Sequence, residues 1–286
     1  MTGSTLSAHY HTSRETFSKQ FGGFLSQPPL PSDYFLKLQD KLVGESRSFS
    51  GFLLIDGDWF GRERCLLVYR DAYTGKNLYW RWSTGELGGE IGADLLFLSS
   101  HGYPLSGVTS DGRSGIVWAV KEVSRRIGQE IPHQRCLVHV QLSAQRLLTL
   151  KPKTEGGRRL LEVVHSLNRI HNHYEKNIWL KWLGRWQERY GEFIKAKTYE
   201  DNGHWWYTHR NVRRVYRSLS RDRESLFRYL DVPGLPKDTN GIEGVFGHMD
   251  GKTGAHRGMN QTRKEGLISH YLYLQEFPKT TLKTHT

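Results

Sequence analysis

Cysteine is nearly missing from this chain: there are two in 286 residues, Cys65 and Cys136. One possible pair cannot staple a chain of this size, which excludes a disulfide scaffold and leads to the expectation of a reducing compartment. Long apolar runs are missing as well. No stretch approaches the roughly 18 residues needed to cross a bilayer, and the opening MTGSTLSAHYHTS lacks the apolar stretch of a secretory signal, so a cytoplasmic protein with no membrane partner is expected. Internal repeats and low-complexity blocks are also absent, so the architecture has to be read from hydrophobic periodicity.

Acidic charge is scarce in one half only. Residues 1–140 hold 15 basic and 14 acidic side chains, whereas 141–286 hold 26 and 15, which places almost the whole net charge of +12 in the second half. A polyanion such as DNA would therefore lie mostly against that half. Hydrophobic residues make up 37% of the chain and aromatics 12%, enough for a substantial core.

The periodicity divides the chain into four parts. Residues 1–47 read as an N-terminal helical segment. Thr12 or Ser13 can cap a helix carrying Phe17, Phe21 and Leu25, and Arg14, Thr16 and Lys19 would be available to DNA if this is the later half of a helix-turn-helix. The proline-rich QPPLPSDY that follows reads as a linker. Residues 48–140 give three strands, in SGFLLIDGDWF and in RCLLVYRDAYTGKNLYWRW with a turn near Thr74 and Gly75. Then come a helix with Ile91, Leu95 and Leu98 on one face, a short strand ending at Asp111, a helix, and a strand in HQRCLVHVQL.

Residues 141–236 read as an all-helical insertion. Leu160, Val163, Val164, Leu167, Ile170, Tyr174, Ile178, Trp182, Trp186 and Tyr190 form one apolar stripe. A further amphipathic stretch over 209–230 has a face with Arg210, Arg213, Arg214, Arg217 and Arg221, which suits either a phosphate backbone or solvent. Residues 237–286 form a last helical part carrying Glu243, with a basic C-terminal region.

The chemistry points to carboxylates at strand ends. Phosphodiester cleavage or transfer needs the attacking and leaving oxygens stabilised in line, which two divalent cations clamped by carboxylates can do. Magnesium prefers oxygen ligands and keeps waters for phosphates. Asp56 follows FLLI and Asp111 follows PLSGVTS, so the two can meet if their strands are neighbours. Glu243 would complete the set. Asp58 lies two residues beyond Asp56 on the same face, and the residues alone separate the two poorly.

LLIDGDWF, VTSDGRSGI, PHQRCLVHVQ and TNGIEGVFGHMDGKTGAHRGM resemble the successive blocks of Mutator-type bacterial insertion-sequence transposases, from about residue 50 to 275. The resemblance implies an α/β ribonuclease H-like fold, with a mixed five-strand sheet and a helical insertion before the last catalytic helix. It also implies an Asp-Asp-Glu triad of Asp56, Asp111 and Glu243 holding two Mg2+ ions, with Mn2+ able to substitute. The activity implied is cleavage at transposon ends followed by strand transfer into target DNA by the 3′-hydroxyl.

The partners implied are double-stranded terminal inverted repeats and target DNA, bound by a homodimer or higher oligomer in a bacterial, nucleoid-associated setting. Cys136 and His139 form the family's Cys-x-x-His pair. That pair supplies two of the four ligands zinc ordinarily takes, so a DNA-contacting or site-orienting role is expected instead. Further DNA contacts are expected from Lys252, His256, Arg257, Arg263 and Lys264, and from Trp205 and Trp206, which can stack on an unpaired base. Two other readings keep parts of this picture: a catalytically inactive, transposase-derived DNA-binding regulator, or a ribonuclease H-like nuclease that cuts without joining.

Overall fold

The computed structural model describes residues 13–254 and 258–277. Among them are seven strands and eleven α-helices in a mixed α/β arrangement, and no helix is long and apolar enough to cross a membrane. Five strands form one mixed sheet in the order β3-β2-β1-β4-β5, where β1 is Phe52–Phe60, β2 Arg64–Asp71, β3 Asn77–Ser83, β4 Gly107–Ser110 and β5 His133–Arg135. β2 and β3 pair antiparallel, while β1 with β4 and β4 with β5 pair parallel. The chain forms two compact units, and β1 contributes its residues through Asp56 to one and from Gly57 onward to the other.

The first unit combines the segment up to Phe49 with Gly57–Gly85 and the chain from Gly241 onward. Helix α1 (Arg14–Leu25) begins where Ser13 accepts a hydrogen bond from the Thr16 amide. The proline-rich stretch is more than a linker. Pro31 sits in the first turn of a second helix, α2 (Pro31–Gly44), where its fixed φ and missing N–H cost nothing. Tyr34, Phe35, Leu38 and Leu42 of α2 are buried, as are Trp80 and the apolar residues of β2. Ser269 of the last helix accepts hydrogen bonds from the indole N–H groups of both Trp80 and Trp82, at 3.2 Å each. The final helical region consists of two helices, α10 (Asn240–Gly254) and α11 (Gln261–Leu274), the latter capped by Asn260.

The second unit combines Ser50–Asp56 with Glu86–Asn240. Its α/β part holds β4, β5, α3 (Gly88–Ser100) and α4 (Ser114–Ile127). α3 buries Ile91, Leu95 and Leu98, the face read from the sequence, and α4 buries Ile116, Ala119, Val120 and Val123. The strand expected through HQRCLVHVQL stops at Arg135, and α5 (Leu137–Leu148) takes over with Cys136 as its N-cap residue. The apolar run suits either state; burial of Leu137, Val140, Ala144 and Leu148 at helical spacing decides for the helix.

The helical part continues with α6 (Glu155–His165), α7 (His173–Tyr190), α8 (Arg210–Ser220) and α9 (Arg228–Asp231). It is not wholly helical: β6 (Lys197–Tyr199) and β7 (Trp205–Tyr207) form an antiparallel hairpin between α7 and α8. α8 ends at Ser220, short of the expected 209–230 span. The stripe on α7 also runs in a different phase. Trp179, Leu183 and Trp186 are buried, whereas Tyr174, Ile178 and Trp182 are exposed. Two buried indoles anchor the face, Trp179 donating to the Val163 carbonyl and Trp186 to that of Gly156.

Candidate active site

The second unit gathers its unusual polar groups where the pairing of β1 with β4 stops, at Ile55 and Ser110; β1 itself runs on to Phe60, so Asp56, expected at a strand end, lies in mid-strand. Ile55 pairs with Ser110 across the parallel strands, so Asp56 and Asp111 are the next residues on neighbouring strands, which are spaced about 4.8 Å apart. Asp56 is buried, 6% exposed. Asp58, its competitor on the same strand, accepts a hydrogen bond from the Trp59 amide beside it. Asp111 accepts from the Arg113 amide, which closes a tight turn over Gly112, a glycine at φ +80°.

His139 meets Asp56 from α5, with Nε2 3.7 Å from Oδ2. Its other ring nitrogen, Nδ1, faces the Thr239 hydroxyl at 3.4 Å. A hydrogen bond with the Cys136 side chain, aided by the nearby Asp56 and Asp111 carboxylates and opposed by burial, raises the imidazole to about 9. These neighbours favour the protonated ring. Cys136 is fully buried, its amide donates to the Ser110 carbonyl, and its Sγ accepts from the Thr239 hydroxyl and amide. The thiol fixes the start of α5, and the imidazolium presents positive charge to Asp56.

The sequence did not point to Glu86. This residue lies just before α3, and its side chain is only 5% exposed. Arg113 bridges it to Asp111: Nη1 is 2.9 Å from Glu86 Oε1 and Nε is 2.8 Å from Asp111 Oδ2. Glu86 Oε2 is buried without a hydrogen-bond partner. Burial, then the Asp111 and Asp56 carboxylates, push Glu86 up to about 7, while Arg113 and His139 pull the other way. Glycine permits the close approach, because a Cβ on Gly115 would fall 1.9 Å from the Glu86 carbonyl oxygen. The only sequence signal is an acid set between glycines in TGELGG.

Behind this cluster, His133 accepts or donates a 2.8 Å hydrogen bond with the Ser110 hydroxyl, and burial lowers it to about 4, so it is neutral. The chain leading to Glu243 is fastened here too. Thr109 donates its hydroxyl to the Pro236 carbonyl, and the Leu137 amide donates to that of Lys237. α10 then begins at Asn240, with Glu243 exposed in its first turn.

Carboxylates dominate the donor set, which suits a hard divalent cation such as magnesium. The buried, unpartnered Glu86 oxygen and the two cations already drawn to this end of the sheet, Arg113 and His139, show that the cluster calls for positive charge. Among the described residues, no three His, Cys, Asp or Glu side chains stand together as a preformed metal-holding group.

The other expected DNA contacts are scattered. Lys19, Arg210, Arg214, Arg217 and Arg263 are exposed, and Lys264 is half-buried. Arg213 is turned aside, with its guanidinium 3.9 Å from the Tyr207 ring centroid and donating to the Ile194 carbonyl. Trp205 and Trp206 are exposed on the β6–β7 hairpin, with Lys197 Nζ 3.8 Å over the Trp205 ring. His256 and Arg257 lie outside the described residues, as do the side chains of Arg14 and Lys252.

No protein-family model matches the sequence, and no curated protein matches it.

Proposed function

We propose that the chain is a DNA transposase that cuts and joins phosphodiesters with an Asp-Asp-Glu site on a ribonuclease H-like fold. The observation that carries this reading is the register of β1 on β4, which sets the buried Asp56 beside Asp111 just past the last paired residues of two parallel strands in the middle of a mixed sheet. The triad reading adds Glu243, in the first turn of the helix whose approach is fastened to Thr109 and Leu137.

Asp56, Asp111 and Glu243 would hold divalent cations, which supply charge stabilisation to the attacking and leaving oxygens when bound. The chain's own groups prepare that place. His139 orients Asp56 through its imidazolium, Thr239 and Cys136 hold His139, and Arg113 balances Asp111 against Glu86. The basic surface of the helical part binds terminal and target DNA, with two copies bridging two ends. In the first step, water attacks the phosphorus at a transposon end and the 3′-oxygen leaves as a hydroxyl. In the second, that hydroxyl attacks a target phosphodiester and one target 3′-oxygen departs. One bond forms as one breaks, so neither ATP nor a covalent protein intermediate is required.

Purified protein given pre-cut end DNA, a target and magnesium or manganese should yield joined product. Asp111→Asn and Glu243→Gln should each abolish joining while leaving DNA binding intact. Full joining by either variant refutes the assignment. Cleavage without joining identifies a nuclease, and end binding without cleavage in any divalent metal identifies a regulator.

A further inference from the structure

Beside the Asp111 turn, the second unit holds a cavity of about 430 Å³ lined by Gly112, Arg135, Arg214, Arg217, Arg221 and Asp222. Arg214, Arg217 and Arg221 recur at helical spacing along α8 and its C-cap, which places them on one face. All three are exposed, and among the described residues none forms an ion pair with a carboxylate. Asp222 is the one carboxylate on the lining, so the cavity carries a surplus of positive charge.

The floor of this cavity is built rather than incidental. Arg135 is spent structurally, donating from Nη1 to the Ser218 carbonyl at 2.8 Å and from Nη2 to the Ser218 hydroxyl at 2.6 Å. Its stem crosses the Asp111 turn so closely that a Cβ on Gly112 would sit 2.8 Å from Arg135 Cγ. Arg135 thereby locks α8, which bears the unpaired arginines, to the turn that bears Asp111.

Guanidinium groups present forked donors that match phosphate oxygens, and several unpaired ones around one hollow make a seat for an anion. We propose that this cavity holds a single phosphodiester of a DNA strand, gripped jointly by Arg214, Arg217 and Arg221 and held in register with Asp111 through Arg135 and Gly112. The assignment rests on DNA as the substrate proposed above, but not on the cutting chemistry. A linkage seated here would fix how far along the strand the bond presented to Asp111 lies.

The test is the salt dependence of duplex DNA binding, read by fluorescence anisotropy with a chelator present so that no cleavage occurs. Full-length protein is compared with Arg214→Gln, Arg217→Gln and Arg221→Gln, made singly and together. Each neutralised phosphate of B-DNA contributes about 0.9 to the slope of log K against log salt. Three arginines on one phosphate predict that the triple variant loses about 0.9, with the single losses failing to add. Loss of about 2.7, built additively from the singles, would put the three cations on separate phosphates and overturn the proposal. An unchanged slope would overturn it as well.

Two controls complete the test. The corresponding triple lysine variant should recover the slope, and failure to do so would assign the loss to altered structure instead. Calorimetric binding of inorganic phosphate that vanishes in the triple glutamine variant, beside an unaltered DNA slope, would make this a free-anion site and overturn the DNA assignment. Absence of joining with the expected slope change would sink the proposed catalysis and leave the seat standing; joining with no slope change would do the reverse.

Discussion

Arg113 Nε lies 2.8 Å from Asp111 Oδ2, and the same guanidinium extends Nη1 to Glu86. One half-exposed cation therefore serves two largely buried carboxylates. Replacing it with Met leaves both without their partner, and the expected cost is about 1 to 2 kcal/mol, less than for a fully buried pair because Arg113 keeps solvent contact. Urea unfolding in chelator measures this loss. Millimolar-range magnesium should then stabilise Arg113→Met more than it stabilises the parent. Equal stabilisation of both proteins would show that Arg113 is not what neutralises this pair.

Gly115 and Gly89 make a matched pair for a packing test. A methyl at Gly115 meets the Glu86 backbone oxygen at 1.9 Å, so the start of α4 must move away from the loop before α3. Gly115→Ala should cost about 2 to 3 kcal/mol, in the range seen for overpacking. Gly89, exposed in the first turn of α3, has nothing within 4 Å of the added methyl. Gly89→Ala should stabilise by about 0.5 to 1 kcal/mol through helix propensity. Opposite shifts in melting temperature are the expected readout.

His133 sets an acid limit on stability. Its folded value of about 4 lies below the ordinary 6.5, so between those values the unfolded chain takes up a proton that the folded chain refuses. Stability from this residue is fully present above pH 6.5 and is lost as pH falls toward 4, by up to about 3 kcal/mol for a shift of this size. His133→Gln should flatten the stability profile across that window while keeping a polar partner for Ser110. An unchanged slope between pH 6.5 and 4 would show that His133 is not responsible.

The phase of α7 can be checked directly. Trp186 is buried and hydrogen-bonded to Gly156, whereas Trp182 is 39% exposed. Trp186→Ala should cost about 3 to 5 kcal/mol. Trp182→Ala should cost about 1 kcal/mol or less, because much of that ring already meets water. Comparable losses at both positions would restore the stripe read from periodicity.

The sequence made the sheet legible where local pattern and burial agree. PLSGVTS is a short apolar run that Asp111 follows as expected, whereas FLLI opens a strand that continues through Asp56 to Phe60 instead of turning there. It misled where two periodicities fitted the same residues. On α7, Tyr174, Ile178, Trp182 and Trp186 make a regular fourfold row, yet a row of four drifts around a helix of 3.6 residues per turn, and packing selected Trp179, Leu183 and Trp186. The strand through His139 failed for a related reason, since LVHVQL can alternate as a strand or bury one face as a helix. α2 was hidden by its own prolines, which read as a break although Pro31 starts a helix. Glu86 was invisible because its role depends on Gly115 and Arg113, which lie far along the chain and come near only through tertiary packing.

The fastening of Pro236 to Thr109 has a consequence for biosynthesis. That hydrogen bond closes a loop of 127 residues, and the Thr239 contacts with Cys136 close another of 103. Contacts so distant along the chain form late, because the entropy of closing long loops must be met first. A nascent chain emerging from the ribosome can begin to pack the helices after Leu137, but His139 lacks its Thr239 neighbour until a further 100 residues have been made. Truncation before residue 236 should therefore leave the surroundings of Asp56 and Asp111 unfinished even where the helices fold, so a prematurely terminated product would lack the assembled carboxylate cluster.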